Sequence, residues 1–262
     1  MSLSRRQFVQ AALAGPALAL DLPARAEARR VAPIQAVALD GFTTFDPRPV
    51  AALAERLFPG QGAALTTAWR TRQFEYSWLR NSMDRYVDFW QVTEEALVFA
   101  ARQTRLELDG TRRRQLMQAF LALDAWQDAR PALERLHASG IRLAFLSNFT
   151  VEMLDAASRN AGLAGLLEPH LSTDRVGVFK PHPRAYRMGV EAFGLPREVI
   201  AFAAFGGWDA AGAKAFGYPT FWVNRLGLPV EQLGVQPDGI GASLEDLVRF
   251  VSTSNAASRP AA

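Results

Sequence analysis

Three short, largely apolar runs carry this sequence's chemistry at or near their ends. Residues 34–39 run into Asp40, residues 141–146 into Ser147-Asn148, and residues 199–205 are followed closely by Asp209, with Lys180 supplied from a loop. A carboxylate at a strand end, near a lysine and hydroxyl or amide donors, stays ionised and can attack carbon, dividing a hydrolysis into alkylation and ester cleavage. Two of these residues also have a plainer use. Asp40-Gly41 after a strand suits a turn, and Asp209 ahead of Ala210-Ala211-Gly212-Ala213 suits a helix N-cap.

The rest of the inventory narrows the chemistry. The 262 residues contain no cysteine, which removes disulfide scaffolds, thiolate metal sites and a cysteine nucleophile. His137, His170 and His182 show neither triad nor metal-ligand spacing and are expected at the surface. With 49% hydrophobic and 21% charged residues the composition is that of a globular protein. No apolar run reaches the roughly 18–20 residues of a membrane-spanning helix. The formal charge of +3 drops to about +1 once Arg5, Arg6 and Arg25 are set against Asp21 in a removable leader. Nucleic-acid binding has little support, because no basic stripe or stacking platform accompanies the charge.

These residues need a sheet to hold them. Residues 34–39, 141–146, 199–205 and 220–223 read as buried parallel strands. Helical patterns at 131–138, 151–161, 183–193 and 210–216 alternate with them, punctuated by Gly or Pro. The expected class is α/β, a doubly wound Rossmann-like parallel sheet in which ligands meet the carboxyl ends of the strands. About a hundred residues of helical periodicity separate the first two strands, including 63–80 and 83–105, and read as an inserted helical cap. The expected division is a core over 31–45 and 128–251, a cap over 46–127, and a disordered tail over 252–262. At the other end, Arg5-Arg6, a short apolar stretch and Ala24-Arg25-Ala26 resemble a twin-arginine export signal over residues 1–26. That implies a periplasmic protein whose mature chain begins near Glu27.

Longer strings join these points. They are Asp40-Gly41-Phe42-Thr43-Thr44-Phe45-Asp46, Trp69-Arg70, Glu75-Tyr76-Ser77-Trp78-Leu79-Arg80 and Arg85-Tyr86-Val87-Asp88-Phe89-Trp90. The core adds Leu146-Ser147-Asn148, Lys180-Pro181 with Tyr186, and Trp208-Asp209-Ala210-Ala211-Gly212-Ala213. Together they resemble the haloacid dehalogenase superfamily, and within it the type II (L-2-haloacid) dehalogenases, over nearly the whole mature chain.

The resemblance implies the following roles. Asp40 is the nucleophile, Arg70 accepts the departing halide, Lys180 holds the nucleophile, and Asp209 positions or deprotonates the water that cleaves the ester. Asn148, Trp208 and Phe89 complete the halide cradle, Ser147 holds the substrate carboxylate, and Tyr186 orients the carboxylate or Lys180. Thr44 is the hydroxyl partner in the first motif. Phe42 stands where phosphatases of the superfamily usually carry a second acid, and the later strand lacks their paired-acid magnesium motif. The expectation is therefore metal-free, cofactor-free conversion of a short L-2-haloalkanoic acid to a D-2-hydroxy acid by a homodimeric (S)-2-haloacid dehalogenase. A noncatalytic periplasmic binding protein on the same fold, or a phosphatase-type hydrolase, are the alternatives. The chain departs from the family at Ala204 and Gly206, where serine and asparagine are common, and at Thr43, where glycine is usual.

Overall fold

The computed structural model describes residues 32–163 and 165–258. The export leader expected over residues 1–26 lies outside them. The chain starts with β1 (Ala36–Leu39), whose four residues are all buried, as a strand covered on both faces requires. Asp40 then caps the one-turn helix α1 (Gly41–Thr44). Four helices follow in the segment expected to form a cap, and called the cap below: α2 (Arg48–Leu57), α3 (Gly62–Ser82), α4 (Phe89–Gln103) and α5 (Gly110–Ala119). The chain returns through α6 (Ala129–Ala138), β2 (Arg142–Ser147), α7 (Val151–Asn160), β3 (Leu171–Ser172), α8 (Pro183–Phe193), β4 (Ile200–Ala204), α9 (Gly207–Phe216), β5 (Thr220–Val223), β6 (Gly239–Gly241) and α10 (Leu244–Ala257).

The sheet has six strands in the order β3-β2-β1-β4-β5-β6, and its recorded pairs are parallel. Because β1 lies between β2 and β4, the chain winds outward in both directions from it. Its carboxyl end is the switch point where α/β sheets bind ligands. Side chains alternate between two buried layers. Val37, Leu39, Leu143, Phe145, Ala201 and Ala203 face one; Ala36, Ala38, Ala144, Leu146, Phe202 and Ala204 face the other. The small residues of the second layer leave room for Tyr186 and Tyr218, whose rings pack edge-to-face and stacked on Phe202.

Cap and core join at a short two-stranded neck. Phe45 bridges Ala125 antiparallel, Asp46 N–H donates to Asp124 O, and Trp126 N–H donates to Thr44 O. Arg225 fastens this neck to the far side of the sheet. Its guanidinium pairs with Asp128 at 2.9 Å and donates to Thr43 O at 2.8 Å. Within the cap, α2 and α3 approach so closely that a Cβ on Gly62 would stand 2.3 Å from the Glu55 backbone.

Several expectations need correction. Residues 83–105 are not one helix, because Asp84 takes a left-handed φ of 52° and Asp88 caps a new helix through Gln91 N–H. The tail expected to be disordered from residue 252 is helical to Ala257. It is tied down by Asn255, which accepts from Ile34 N–H at 2.6 Å and donates to Ile34 O at 3.0 Å. Helix α10 itself is announced by a Ser243–Asp246 capping box, a signal that satisfies two orphan amides. His170 is not a surface residue. It packs 5.3 Å from Phe145, and burial lowers its pKa against the opposing charge of Asp155.

Candidate active site

The strand ends converge as the topology requires. Asp40 follows β1 and is only 8% exposed; its Oδ2 accepts from Phe42 N–H at 3.2 Å, which is why α1 begins there. Its other oxygen accepts from Lys180 Nζ at 2.7 Å. The same ammonium donates to Asp209 Oδ2 at 2.7 Å, so one cation bridges two carboxylates from β1 and α9. Lys180 and Asp209 are each about 1% exposed. The ammonium thus occupies the space between the two carboxylates.

Tyr186 was expected at the substrate, and the structure moves it. Its hydroxyl lies beneath the site, donating to Asp209 Oδ1 at 2.7 Å. Gly212 makes this possible, since a Cβ there would meet that hydroxyl at 2.5 Å. Tyr218 in turn donates to Tyr186 O at 2.5 Å. Asp209 is also not the N-cap of its helix: Gly206 takes that position, and the Asp209 carboxylate is bound by Lys180 and Tyr186.

Burial dominates the electrostatics. It opposes ionisation of Asp209 and lifts its pKa to about 6, with the nearby charge of Asp40 adding to the rise and Lys180 and Tyr186 working against it. Burial also opposes charge on Lys180, yet Asp209 and Asp40 together outweigh it and hold the ammonium above its ordinary range. At neutral pH Lys180 is therefore an ammonium, and Asp209, with a pKa of about 6, stands close to taking up a proton.

Above Asp40 lies a cavity of about 340 Å³. Phe42, Phe89, Ser147, Asn148, Trp208 and Arg70 all line it, as the sequence suggested. Ser147 Oγ accepts from Phe149 N–H at 3.2 Å and keeps its proton to donate. Asn148 Oδ1 accepts from Lys180 N–H at 2.9 Å, which turns its amide nitrogen away from that bond. Arg70 has no ion-pair or hydrogen-bond partner among the described residues. Thr44 is the exception. It is fully buried, lies outside the cavity lining, and its hydroxyl is 3.5 Å from that of Thr43. The one-turn helix directs it into the neck.

One departure from the family pattern, Gly206, has a local counterpart in the structure. The indole of Trp208 lies over Gly206, where any Cβ would approach its Nε1 to 2.7 Å. This placement of Trp208 and a side chain at position 206 exclude each other. Trp208 instead packs on Phe74 and Trp78, with centroids at 5.3 and 5.5 Å.

Asn81 was not singled out by the sequence reading. Near the end of α3 it donates to Phe179 O and accepts from Phe179 N–H, both at 2.8 Å. It thus holds the peptide immediately before Lys180 as a neighbouring strand would. Tyr86 packs 4.7 Å from the Phe179 ring and donates to Asp174 at 2.5 Å, so the cap grips the lysine loop at two points.

A family model for haloacid dehalogenase-like hydrolases matches residues 24–217. The chain belongs to this family. An (S)-2-haloacid dehalogenase of Pseudomonas sp. (strain YL) is 40% identical over 222 residues, covering 84% of this chain and 96% of that enzyme. The crystal structure of an L-2-haloacid dehalogenase superposes with a TM-score of 0.83 at 41% identity, covering 84% of this chain and all of that one. The Xanthobacter autotrophicus L-2-haloacid dehalogenase with chloropropionic acid covalently bound superposes with a TM-score of 0.78 at 35% identity, covering 84% and 98%. The doubly wound parallel sheet of this haloacid dehalogenase-like hydrolase is thus the fold of those enzymes.

Proposed function

We infer that this hydrolase removes halide from short L-2-haloalkanoic acids and yields D-2-hydroxy acids. The observation that carries the reading is the Asp40–Lys180–Asp209 cluster beneath a cavity lined by Arg70 and Asn148. Asp40 attacks C2 from the side opposite the halogen, forming a C–O bond as the C–X bond breaks, and the halide leaves with the bonding pair toward Arg70 and Asn148. Inversion at C2 follows. Phe42 supplies no acid where a phosphatase would carry one, and halide needs no proton to depart.

The second half of the reaction belongs to Asp209. It removes a proton from water as the water attacks the carbonyl carbon of the Asp40 ester, and the proton passes to the released alkoxide. Asp40 is left as the free acid and ionises beside Lys180. Burial holds the pKa of this carboxylate above the ordinary range, which suits a general base working near neutrality. Without polar groups at Ala204 and Gly206, Lys180 and Tyr186 are the side chains that hold this carboxylate.

The test is chloride release from L- and D-2-chloropropionate with chelator present and Asp40→Asn as control. Multiple turnovers on the L-acid, abolished in the variant, support the reading; no release and no adduct from either enantiomer would overturn it.

Two further parts of the proposal concern the whole protein. We propose export to the periplasm by the twin-arginine route, supported by Arg5-Arg6 and Ala24-Arg25-Ala26. Fractionation of cells in which Arg5 and Arg6 are both replaced by lysine tests it, cytoplasmic retention being the expected outcome. We also propose a homodimer formed through the cap, supported by exposed Leu79 and Met83 on and just after α3. Light scattering of the mature chain should give twice the monomer mass, and Leu79→Glu should halve it.

A further inference from the structure

A second chamber of about 310 Å³ lies beside the catalytic cavity. Phe42, Pro47, Arg70, Thr71, Phe205 and Leu226 line both spaces, so the two meet across a common wall. Helix α3 gives the direction. Of these two spaces, Thr66, Thr67, Trp69 and Gln73 line the chamber, Phe74, Glu75 and Trp78 line the cavity, and Arg70 with Thr71 lines both. Arg70 therefore stands at the boundary, with Asp40 on the cavity side alone.

The charges of the two walls differ. The catalytic cavity is lined by Asp40, Glu75 and Glu231 as well as Arg70. The chamber's lining holds Arg48 and Arg70 with threonines and a glutamine, and no carboxylate. Arg48 is paired with Asp46 at 2.6 Å, which leaves Arg70 as its cation without a carboxylate partner. The remaining wall includes Trp69, Phe120 and Trp126, whose positive ring edges suit a weakly hydrated anion. At about 30 Å³ per water the chamber has room for an ion with several waters.

We propose that this chamber is a halide-binding antechamber, through which the ion displaced at C2 leaves after passing Arg70. The proposal rests on the dehalogenase reading for the source of the ion. In-line displacement sends the halide away from Asp40 and toward Arg70. Beyond Arg70 the chamber offers a route free of carboxylates, whereas return through the cavity passes Glu75 and Glu231.

Ala51 provides the test, because it is exposed on α2, lines the chamber and does not line the catalytic cavity. Ala51→Asp introduces a charge there and Ala51→Asn is its neutral counterpart. Bromide binding to the resting protein is followed by tryptophan quenching, and crystals soaked in bromide are read by anomalous scattering. The expected result is anomalous density in the chamber, with bromide affinity about tenfold weaker in the Asp variant and unchanged in the Asn variant. Tenfold is the effect of one unit charge at roughly 6 Å with an effective dielectric near 40. Single-turnover alkylation of Asp40 should stay within about twofold in both variants, while steady-state inhibition by bromide weakens only in the Asp variant. Bromide confined to the catalytic cavity, or equal affinities in the two variants, would overturn the antechamber. Failure to dehalogenate any 2-haloacid would instead overturn the activity, and the bromide measurements on resting protein remain separately readable.

Discussion

Tyr186→Phe takes away the hydroxyl that donates to Asp209 Oδ1 at 2.7 Å and leaves the ring among Phe202, Phe216 and Tyr218. A hydrogen bond to a charged group contributes about 1.5–3 kcal/mol, and about 1.4 kcal/mol corresponds to one pH unit. Lys180 still holds the other oxygen, so the lower end of that range applies. Because the lost bond favoured the ionised form, the Asp209 pKa rises further above its burial-raised position, by about one unit. Well below the midpoint the ionised fraction then falls by up to about tenfold, and well above it the fraction is unchanged. The assay is single-turnover decay of the Asp40 ester, quenched and followed by intact mass from pH 5.5 to 8.5. The midpoint of the ester-hydrolysis profile should move up by about one pH unit while the alkylation rate stays within about twofold. A midpoint that stays in place or moves down would refute the assignment of Asp209 as the base and Tyr186 as the group that positions it.

Asp209→Asn should leave alkylation running and stall the second step, so that protein mass rises by the acid's alkyl portion and stays raised; a transient adduct would contradict it. Lys180→Met places two carboxylates in a buried site with no cation between them. It should cost about 3–5 kcal/mol in denaturant unfolding at pH 7, less at pH 5, where one carboxylate takes up a proton, and no loss at either pH would be contrary. Asn81→Ala removes two hydrogen bonds from the Phe179 peptide, about 1–3 kcal/mol together. With the Lys180 loop less firmly placed, kcat should fall several-fold with KM little changed; a change in KM alone would assign Asn81 to binding.

The parts legible in the sequence were those in which one physical signal dominates. The expected strands 34–39, 141–146, 199–205 and 220–223 each coincide with most or all of an observed strand, because burial on both faces leaves nearly continuous apolar runs. Asp40, Ser147, Asn148 and Asp209 were legible because strand ends are where such sheets place polar groups. The two-residue β3 and the glycine-rich β6 have no such run, being short edge segments defined by their neighbours. The sequence tied Tyr186 to the substrate carboxylate or Lys180 and gave no sign of its bond to Asp209, because its place depends on space made by Gly212. Asn81 was silent because its partner is a backbone peptide 98 residues away, and a backbone contact leaves no residue type to read. The break at 83–88 was signalled by Asp88 ahead of Phe89, a cap that helical periodicity on either side obscured.

The central claim is that Asp40 bonds to carbon and that water then attacks Asp40 rather than the substrate. A single turnover of L-2-chloropropionate with excess enzyme in ¹⁸O-water separates these directly. The account predicts lactate whose new hydroxyl carries ordinary oxygen and a peptide containing Asp40 that has gained one ¹⁸O. Label in the lactate hydroxyl with Asp40 unlabelled would mean that water attacks C2 itself, and would contradict the account.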